Sequence, residues 1–467
     1  MVTTRHSFWM DSLEGSAGDI SRRPGPSGSF ETDVCIIGAG LTGLWTAYEL
    51  QRRSPHLSIT LLEREFAGFG ASGRNGGWCS ALFPQSAAAL ERRYGFDAAV
   101  RMRRAMVETV AEVGRVVAEE GIDCDFLAGG TVLFARDSVQ WRAAQADAAE
   151  SARFGVDQSE LWDAQTVGER FGATGIGGGS AHGALYEPHC ARVHPARLVR
   201  GLADVVESRG ATIHESTEVT RFEPHLLRWR SGNRTGTVRA RSIIVATEGY
   251  GSQLPGVGRR ILPLYSLMIA TERLDESTWK RIGIEHGQTF SDYRHLLIYG
   301  QRTADNRIAF GGRGARYHFG SAMKPQYDRV PEVLRHLERA IGELFPDVAS
   351  AEITHQWGGP LGVPRDWHAS VAYNRQSGIG FAGGYVGDGL STTNLAGRTL
   401  ADLVTGRDSE LTRLPWVNHL SPKWEPEPLR FIGANLGLMG TGLADREEAL
   451  TRRPSVIAKL TGPLTGH

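Results

Sequence analysis

Six residues, Gly38-Ala-Gly-Leu-Thr-Gly43, close a β-branched apolar run and open a helix, and they constrain this chain more than any other feature. The run before them, Thr32-Asp-Val-Cys-Ile-Ile37, reads as a buried parallel strand. After them Leu41, Leu44, Ala47 and Tyr48 keep helical spacing until Ser54-Pro55 stops the helix. A second strand, Ser58-Ile-Thr-Leu-Leu62, ends at Glu63. In such a unit the three glycines permit, in turn, a tight turn, close approach of backbone N–H groups to a pyrophosphate, and close packing of helix on strand. The helix N-terminus adds its positive dipole end for the phosphates. Glu63, about 20 residues past Gly43, stands where an acid accepts hydrogen bonds from ribose hydroxyls.

The pattern recurs twice downstream. A helix over about 195–209 leads through Gly210 to Ala211-Thr-Ile-His214, and Ser242-Ile-Ile-Val-Ala-Thr247 reads as another buried strand. Gly378-Ile-Gly-Phe-Ala-Gly-Gly384 and a helix over about Ser391 to Thr405 resume the pattern again. Between these segments, residues 85–120 carry valines at helical spacing (Val107, Val110, Val113, Val116, Val117) and 137–171 alternate charged helices with Gly-bounded breaks, as expected for a different domain. Strand-like runs at Leu264–Thr271, His295–Gly300 and Arg307–Gly312, around a helix at 331–344, predict a mixed sheet there. The expected organisation is a tail over 1–29, a discontinuous nucleotide-binding domain from 30–90, 191–260 and 375–410, a second domain from 91–190 and 261–374, and an extension over 411–467. The fold class is α/β, α+β overall, with a Rossmann-type parallel sheet in one domain and a mixed antiparallel sheet with helices in the other.

Composition excludes several alternatives. At 467 residues the chain exceeds one ordinary core, and 41% hydrophobic with 22% charged residues is the balance of a globular protein. Fifty-two basic against fifty-two acidic residues give no net field toward nucleic acid or an anionic membrane. Cys35, Cys79, Cys124 and Cys190 lack the spacing of a zinc site or a disulfide framework, so no metal is expected. With no run of about 18 apolar residues and no signal-peptide pattern, the expected location is the cytoplasm.

The glycine motif alone does not separate FAD from NAD. Directly after the acid strand, Gly68-Phe-Gly-Ala-Ser-Gly-Arg-Asn-Gly-Gly77 sets Arg74 and Asn75 in a glycine-rich loop, suited to a backbone threading beside a large flat ring. An ordinary surface loop is the bland alternative. On GAGLTG at 38–43, Glu63, GASGRNGG at 70–77, VATEGYGS at 245–252 and GGYVGDGLSTTNLAGR at 383–398, the chain resembles the FAD-dependent amine and amino-acid oxidases of the D-amino-acid oxidase superfamily. The resemblance covers most of 30–405, and the GASGRNGGW run looks most like the gamma-glutamylputrescine oxidase branch.

That resemblance implies which residues meet FAD. They are Gly38, Gly40, Leu41, Thr42 and Gly43; Glu63 and Arg64; Gly70, Ala71, Ser72, Arg74, Asn75, Gly76, Gly77 and Trp78; Val219 beside the adenine; Ala246, Thr247 and Gly249; Gly359; and Gly384, Tyr385, Gly387, Asp388, Gly389, Leu390, Ser391 and Thr392 past the flavin. A helix starting near Ser391 would aim its N-terminus at the flavin N1/C2=O edge, where the dipole stabilises negative charge. Relatives carry a lysine where this chain has Ser391 and a histidine where it has Asp388, so the N1 surroundings here are less positive. Covalent members use a cysteine in the C-terminal region or a histidine in the loop after the acid strand; Arg74 stands there, so FAD is expected to be non-covalent. Amino-acid-using relatives place an arginine after a Gly-Leu-type turn to grip the substrate carboxylate, where this chain has Pro360 and Leu361, with Arg365 arriving late. An amine without a required α-carboxylate is the favoured substrate.

Hydride loss from a neutral amine toward flavin N5 demands a dry pocket and orienting groups more than a strong base. The candidates are Arg74, Tyr265, Arg302, Trp357 and Asp388, together with Trp78 and Met268, residue types that are more often core. Asp388 would bind a substrate ammonium or cap the following helix. The expected cycle releases an imine that hydrolyses, with dioxygen as acceptor. An amino-acid or N-methyl-amino-acid oxidase or dehydrogenase using another acceptor is the alternative, and a nicotinamide-dependent dehydrogenase or a non-catalytic flavin-binding subunit or sensor are the rivals of other classes.

Overall fold

The computed structural model describes residues 6–13, 22–156 and 158–465. Its first sheet is built on the parallel strands Phe30–Ile37, Ile59–Leu62 and Thr212–His214 on one side and Arg234–Val245 on the other, with Val34 opposite both Ile59 and Ser242. The strand Arg234–Val245 is twice the length expected from the sequence, and its outer edge is divided. Its first half pairs antiparallel with Leu226–Ser231, which continues to Glu218–Glu223, while its last three residues pair parallel with Ile379–Phe381. Three distant stretches of chain thus meet at one sheet end, the arrangement expected of a discontinuous Rossmann-type unit.

Two helices close one face of that sheet. Leu41–Arg53 and Gly389–Thr405 cross so tightly that a Cβ on Gly397 would lie 2.6 Å from the Trp45 carbonyl carbon, and both helices are buried along most of their length. The long helix Phe96–Glu119 joins them: Met102, Met106, Val110 and Val113 enter the same core as Leu44, Trp45 and Leu400. The sequence expectation set this helix in a different domain; its apolar stripe packs on the nucleotide-binding layer, where it shares that layer's core.

The second sheet runs Ile353–Val363, Leu262–Thr271, Ile308–Gly312, Ile298–Arg302, Thr289–Asp292, Thr131–Ala135, Gly183–Glu187, Glu160–Asp163. All its pairs are antiparallel except Thr289–Asp292 with Thr131–Ala135, so the sheet is mixed as expected. The helix Pro331–Leu344 packs Val333, Leu334, Leu337 and Ile341 on its outer face.

The expected N-terminal tail is in part a structural element. Ser7 Oγ accepts from Met10 N–H at 3.1 Å to cap the helix Phe8–Asp11 and donates to Gly73 O at 2.7 Å, while Trp9 Nε1 donates to Asn75 O at 2.8 Å. Phe8, Trp9 and Met10 are buried, each such side chain stabilising the fold by about 2 kcal/mol. Residues 1–5 and 14–21 lie outside the described residues.

Candidate active site

The cleft for a dinucleotide begins at the glycine turn. Gly38 adopts φ +103°, and a Cβ there would sit 2.6 Å from Ala246 O; one on Gly43 would sit 2.1 Å from Gly38 O. A side chain is thus forbidden at the turn and at the helix–strand crossing, while Gly40 leaves the helix N-terminus bare apart from Ser72, whose Oγ accepts from Leu41 N–H at 2.9 Å. Glu63 lies at the far wall. Its carboxylate accepts from Ala39 N–H and Glu65 N–H, both at 2.9 Å, and burial pushes its pKa up against those bonds. Gly38, Gly40, Leu41, Thr42, Glu63, Arg64, Gly70, Ala71, Ser72, Asn75, Val219, Ala246, Thr247, Gly249, Tyr385, Gly387, Gly389 and Leu390 all line one cleft of roughly 1250 Å³, part of it open to solvent.

Two features show that the residues present fit FAD. Thr247 Oγ1 is buried in the cleft wall with no protein partner, an orphan that a bound polar group would satisfy. The helix Gly389–Thr405 also presents its first turn to the cleft: Gly389, Leu390 and Thr393 line it. Below that turn, Glu248 (φ +43°) buries its carboxylate and accepts from Gly384 N–H at 2.8 Å and Tyr385 N–H at 3.2 Å. Burial pushes Glu248 up to about 7, with hydrogen bonds from the Gly384, Tyr385 and Gly362 backbones opposing the shift. A Cβ on Gly362 or Gly383 would come within 2.9 or 2.8 Å of this carboxyl group, so glycine is required on both strands that approach it.

A second cavity opens from the first. The two share Ala71, Asn75, Leu361, Gly387 and Leu390, and the second extends between the sheets to Trp78, Ser80, Leu82, Leu133, Ser266, Ser291, Leu297, Ile298 and Tyr299. Its walls are largely apolar. Ser266 Oγ and Tyr299 Oη pair at 2.8 Å, and the charged groups beyond the loop residue Arg74 are Arg313 and Asp388. Arg313 donates through Nη2 to Val386 O at 2.8 Å and lies 5.3 Å over the Trp367 ring, which fixes its guanidinium at the cavity edge. Burial holds the Asp388 carboxyl up at about 6, and the Arg313 guanidinium pulls it the other way. An ammonium and a second polar or anionic group could both be held here, inside a small apolar space.

The substrate-side candidates separate. Asp388, Arg74, Trp78 and Gly359 line the second cavity with Gly76 and Asn75. Arg74, however, spends its guanidinium on the protein: Nη1 donates to Asp328 Oδ2 at 2.7 Å and Gly358 O at 3.0 Å, and Nε to Phe69 O at 2.8 Å. It staples the loop to the second sheet. Trp78 Nε1 donates to Gly300 O, and Asn75 folds the loop by accepting from Gly77 N–H and donating to Ala71 O and Ser72 O. Tyr265, Arg302 and Trp357 line neither cavity. Strand alternation points Ser266 into the cavity and therefore turns Tyr265 to the opposite face, against His318 and Tyr327. Arg302 bonds Asn306 and Glu276 across the Trp279 ring, beyond the cavity. Trp357, like Met268 across from it on the neighbouring strand, is core: its indole faces Phe8 and Trp9 and donates to Arg74 O.

Gly43, Gly77, Gly384, Ser391 and Thr392 stand behind the lining. Gly77 (φ +71°) leaves no room beside Gln301; Ser391 donates to Ser80 O and Thr392 to Asp388 O, so both hydroxyls hold the helix start instead of facing the cleft. Asp388 precedes that helix without a side-chain cap bond, so its carboxylate remains available to the cavity. Arg365 pairs with Glu425 at 3.0 Å beside Trp424, outside both cavities. Arg313, Tyr299, Ser266 and Glu248 were not among the sequence candidates. Glu248 carried a signal, an acid within the small-residue strand end VATEGYGS; Arg313 is one of 48 arginines and carried none.

Comparison with known proteins agrees with this geometry. The sequence profile described as "FAD dependent oxidoreductase" (DAO) matches residues 33–403. The gamma-glutamylputrescine oxidoreductase of Escherichia coli is 30% identical over 385 residues, 81% of this chain and 84% of that protein. A glycine oxidase of Pseudomonas aeruginosa is 24% identical over 405 residues, covering 82% of this chain and 98% of its own length. Among solved structures, glycine oxidase from Geobacillus kaustophilus superimposes with a TM-score of 0.70 at 19% identity, over 84% of this chain and all of the other.

Proposed function

Because the chain belongs to the DAO family of FAD-dependent oxidoreductases, we propose that it oxidises a carbon–nitrogen bond of a small amine held in the second cavity. The observation that carries this reading is the junction of the two cavities at Ala71, Asn75, Leu361, Gly387 and Leu390, with a half-buried carboxylate and a fixed guanidinium just beyond it. Bound FAD would supply a two-electron acceptor for the hydride lost from the amine carbon, and the resulting imine would hydrolyse. The chain's own part is placement. Asp388 pairs with the substrate ammonium or takes its proton, so that the neutral amine sits against the junction. Leu82, Leu133, Leu297 and Ile298 keep water away, which strengthens every polar contact inside.

The cofactor-side residues support non-covalent FAD: among the described residues lining the two cavities there is neither cysteine nor histidine. Dioxygen is the proposed acceptor and the cytoplasm the proposed location. Arg313 favours a second reading, a carboxylate-bearing amine such as an amino acid, gripped from the strand end after Ile308–Gly312 instead of from the 360–365 turn. Anaerobic bleaching of the flavin over polyamines, N-methylated amines, amino acids and aminophosphonates tests both readings, with peroxide release and an artificial acceptor run in parallel. Bleaching by none of the four groups would sink the enzymatic reading of the second cavity; bleaching confined to carboxylate-bearing substrates would select the second reading.

A further inference from the structure

The helix Leu429–Thr451 lies beyond the part of the chain matched by the family profile, with the last helix, Val456–Thr465, packed beside it at Gly440, and it is mounted with its polar side inward. Asp445 accepts from the backbone N–H groups of His295 at 2.6 Å and Leu296 at 3.0 Å. Glu448 meets His295 Nε2 at 3.0 Å, and Asn435 both accepts from Tyr317 N–H and donates to Tyr317 O at 3.1 Å. At its start, Arg430 is buried against Glu427 and Tyr317. These bonds fix which face looks outward.

That outward face is apolar. Leu429, Ile432, Leu436, Met439, Leu443 and Leu450 are between 45% and 85% exposed. Their spacing alternates three and four residues with Arg446 filling the one remaining step, which is the a/d repeat of a helix–helix seam. An ordinary surface helix turns such a stripe to the core; this one has its core side occupied by carboxylates and amides. The exposed fractions amount to roughly 600 Å² per chain, so two copies facing each other would bury about 1,200 Å², the lower bound of a stable interface.

We infer that this helix is a self-association surface, on which two copies of the chain pair seam to seam through an antiparallel helix contact. The direction follows from Arg446. A parallel pair would set two guanidinium groups against each other in the seam, whereas a two-fold axis near Met439 sets each Arg446 beside an Ile432, along which its aliphatic stem can lie. Gly433 and Gly442 flank the seam with open space around them, so no Cβ holds the two backbones apart.

The test uses the full-length, FAD-loaded protein in sedimentation experiments across a concentration series. A dimer at about 10 µM is expected, with Leu436→Asp raising the dissociation constant at least about 30-fold while flavin content and thermal midpoint stay unchanged. Leu420→Asp, an exposed leucine outside the helix, should leave association intact. All four native cysteines are buried, so an added thiol reports cleanly. Under oxidised glutathione Met439→Cys should form a disulfide-linked dimer and Leu450→Cys should not. A monomer throughout, a dimer indifferent to Leu436→Asp, cross-linking through Leu450→Cys in preference to Met439→Cys, or seam-dependent binding to phosphatidylcholine–phosphatidylglycerol vesicles by a monomeric protein would each overturn the inference.

Discussion

The two cavities recognise by different means. The nucleotide cleft is shaped by main chain: a glycine turn, a bare helix start and strand ends brought together, with side chains such as Glu63 and Ser72 completing it. The substrate cavity is shaped by side chains, drawn one or two at a time from six strands and the loops after them. Backbone recognition tolerates no added atoms and leaves a fixed spacing in the sequence. Side-chain recognition tolerates substitution and leaves no local spacing, because neighbours in the cavity are distant in the chain.

The contrast breaks first where it is sharpest. Gly43→Val should abolish FAD retention and cost about 4 kcal/mol or more, since its Cβ would enter Gly38 O and no flexible neighbour can yield; flavin content and denaturant unfolding read this. Glu248 comes next. Its pKa is raised in the fold, so its contribution to stability is fully present below its unfolded value of about 4.5 and is lost as pH rises through about 7. Relative to Glu248→Gln, the apoprotein should lose about 3 kcal/mol of stability between pH 4 and pH 8, measured by unfolding at each pH; a constant difference would show that the carboxyl ionises without cost.

The substrate side should respond in rate and not in cofactor. Arg313→Met is expected to keep full flavin content and lower the second-order rate of anaerobic flavin reduction about 30-fold for a carboxylate-bearing substrate, about 2 kcal/mol, and far less for a simple amine. Loss of flavin from this variant would erase the distinction between the cavities. The smallest effect belongs to Asp388→Asn, about 10-fold weaker substrate binding. Wild-type flavin reduction at low substrate should rise through about pH 6 as this carboxyl ionises, the variant should lack that limb, and Arg313→Met should move the limb upward because the guanidinium favours the ionised form. Stopped-flow reduction over pH 5–8 checks all three.

What is legible in the sequence divides along the same line. The strand, glycine turn, helix and acid over 30–63 are contiguous, the return at 245 carries a β-branched run and the return at 379 a short glycine-bounded segment, so the parallel layer can be read from local pattern. The valine spacing within Phe96–Glu119 identifies a helix but not the domain it joins, because an apolar stripe states that a face is buried and not against what. Tyr265 and Ser266 are adjacent, and the pleat lets one enter the cavity while the other leaves it; composition favours the tyrosine, and the pleat places the serine. The role of Phe8 and Trp9 is hidden because the short segment that carries them has too few residues to show a period.

Asp445 also joins two parts of the protein that the sequence keeps 150 residues apart. The backbone it holds, at His295 and Leu296, runs directly into Leu297 and Ile298, which form the substrate cavity wall. A cap on the outer helix is therefore also a tie-rod for that wall, and clipping the chain after residue 428, which leaves the buried Trp416 and Trp424 in place, should slacken the grip on the amine while the flavin stays bound.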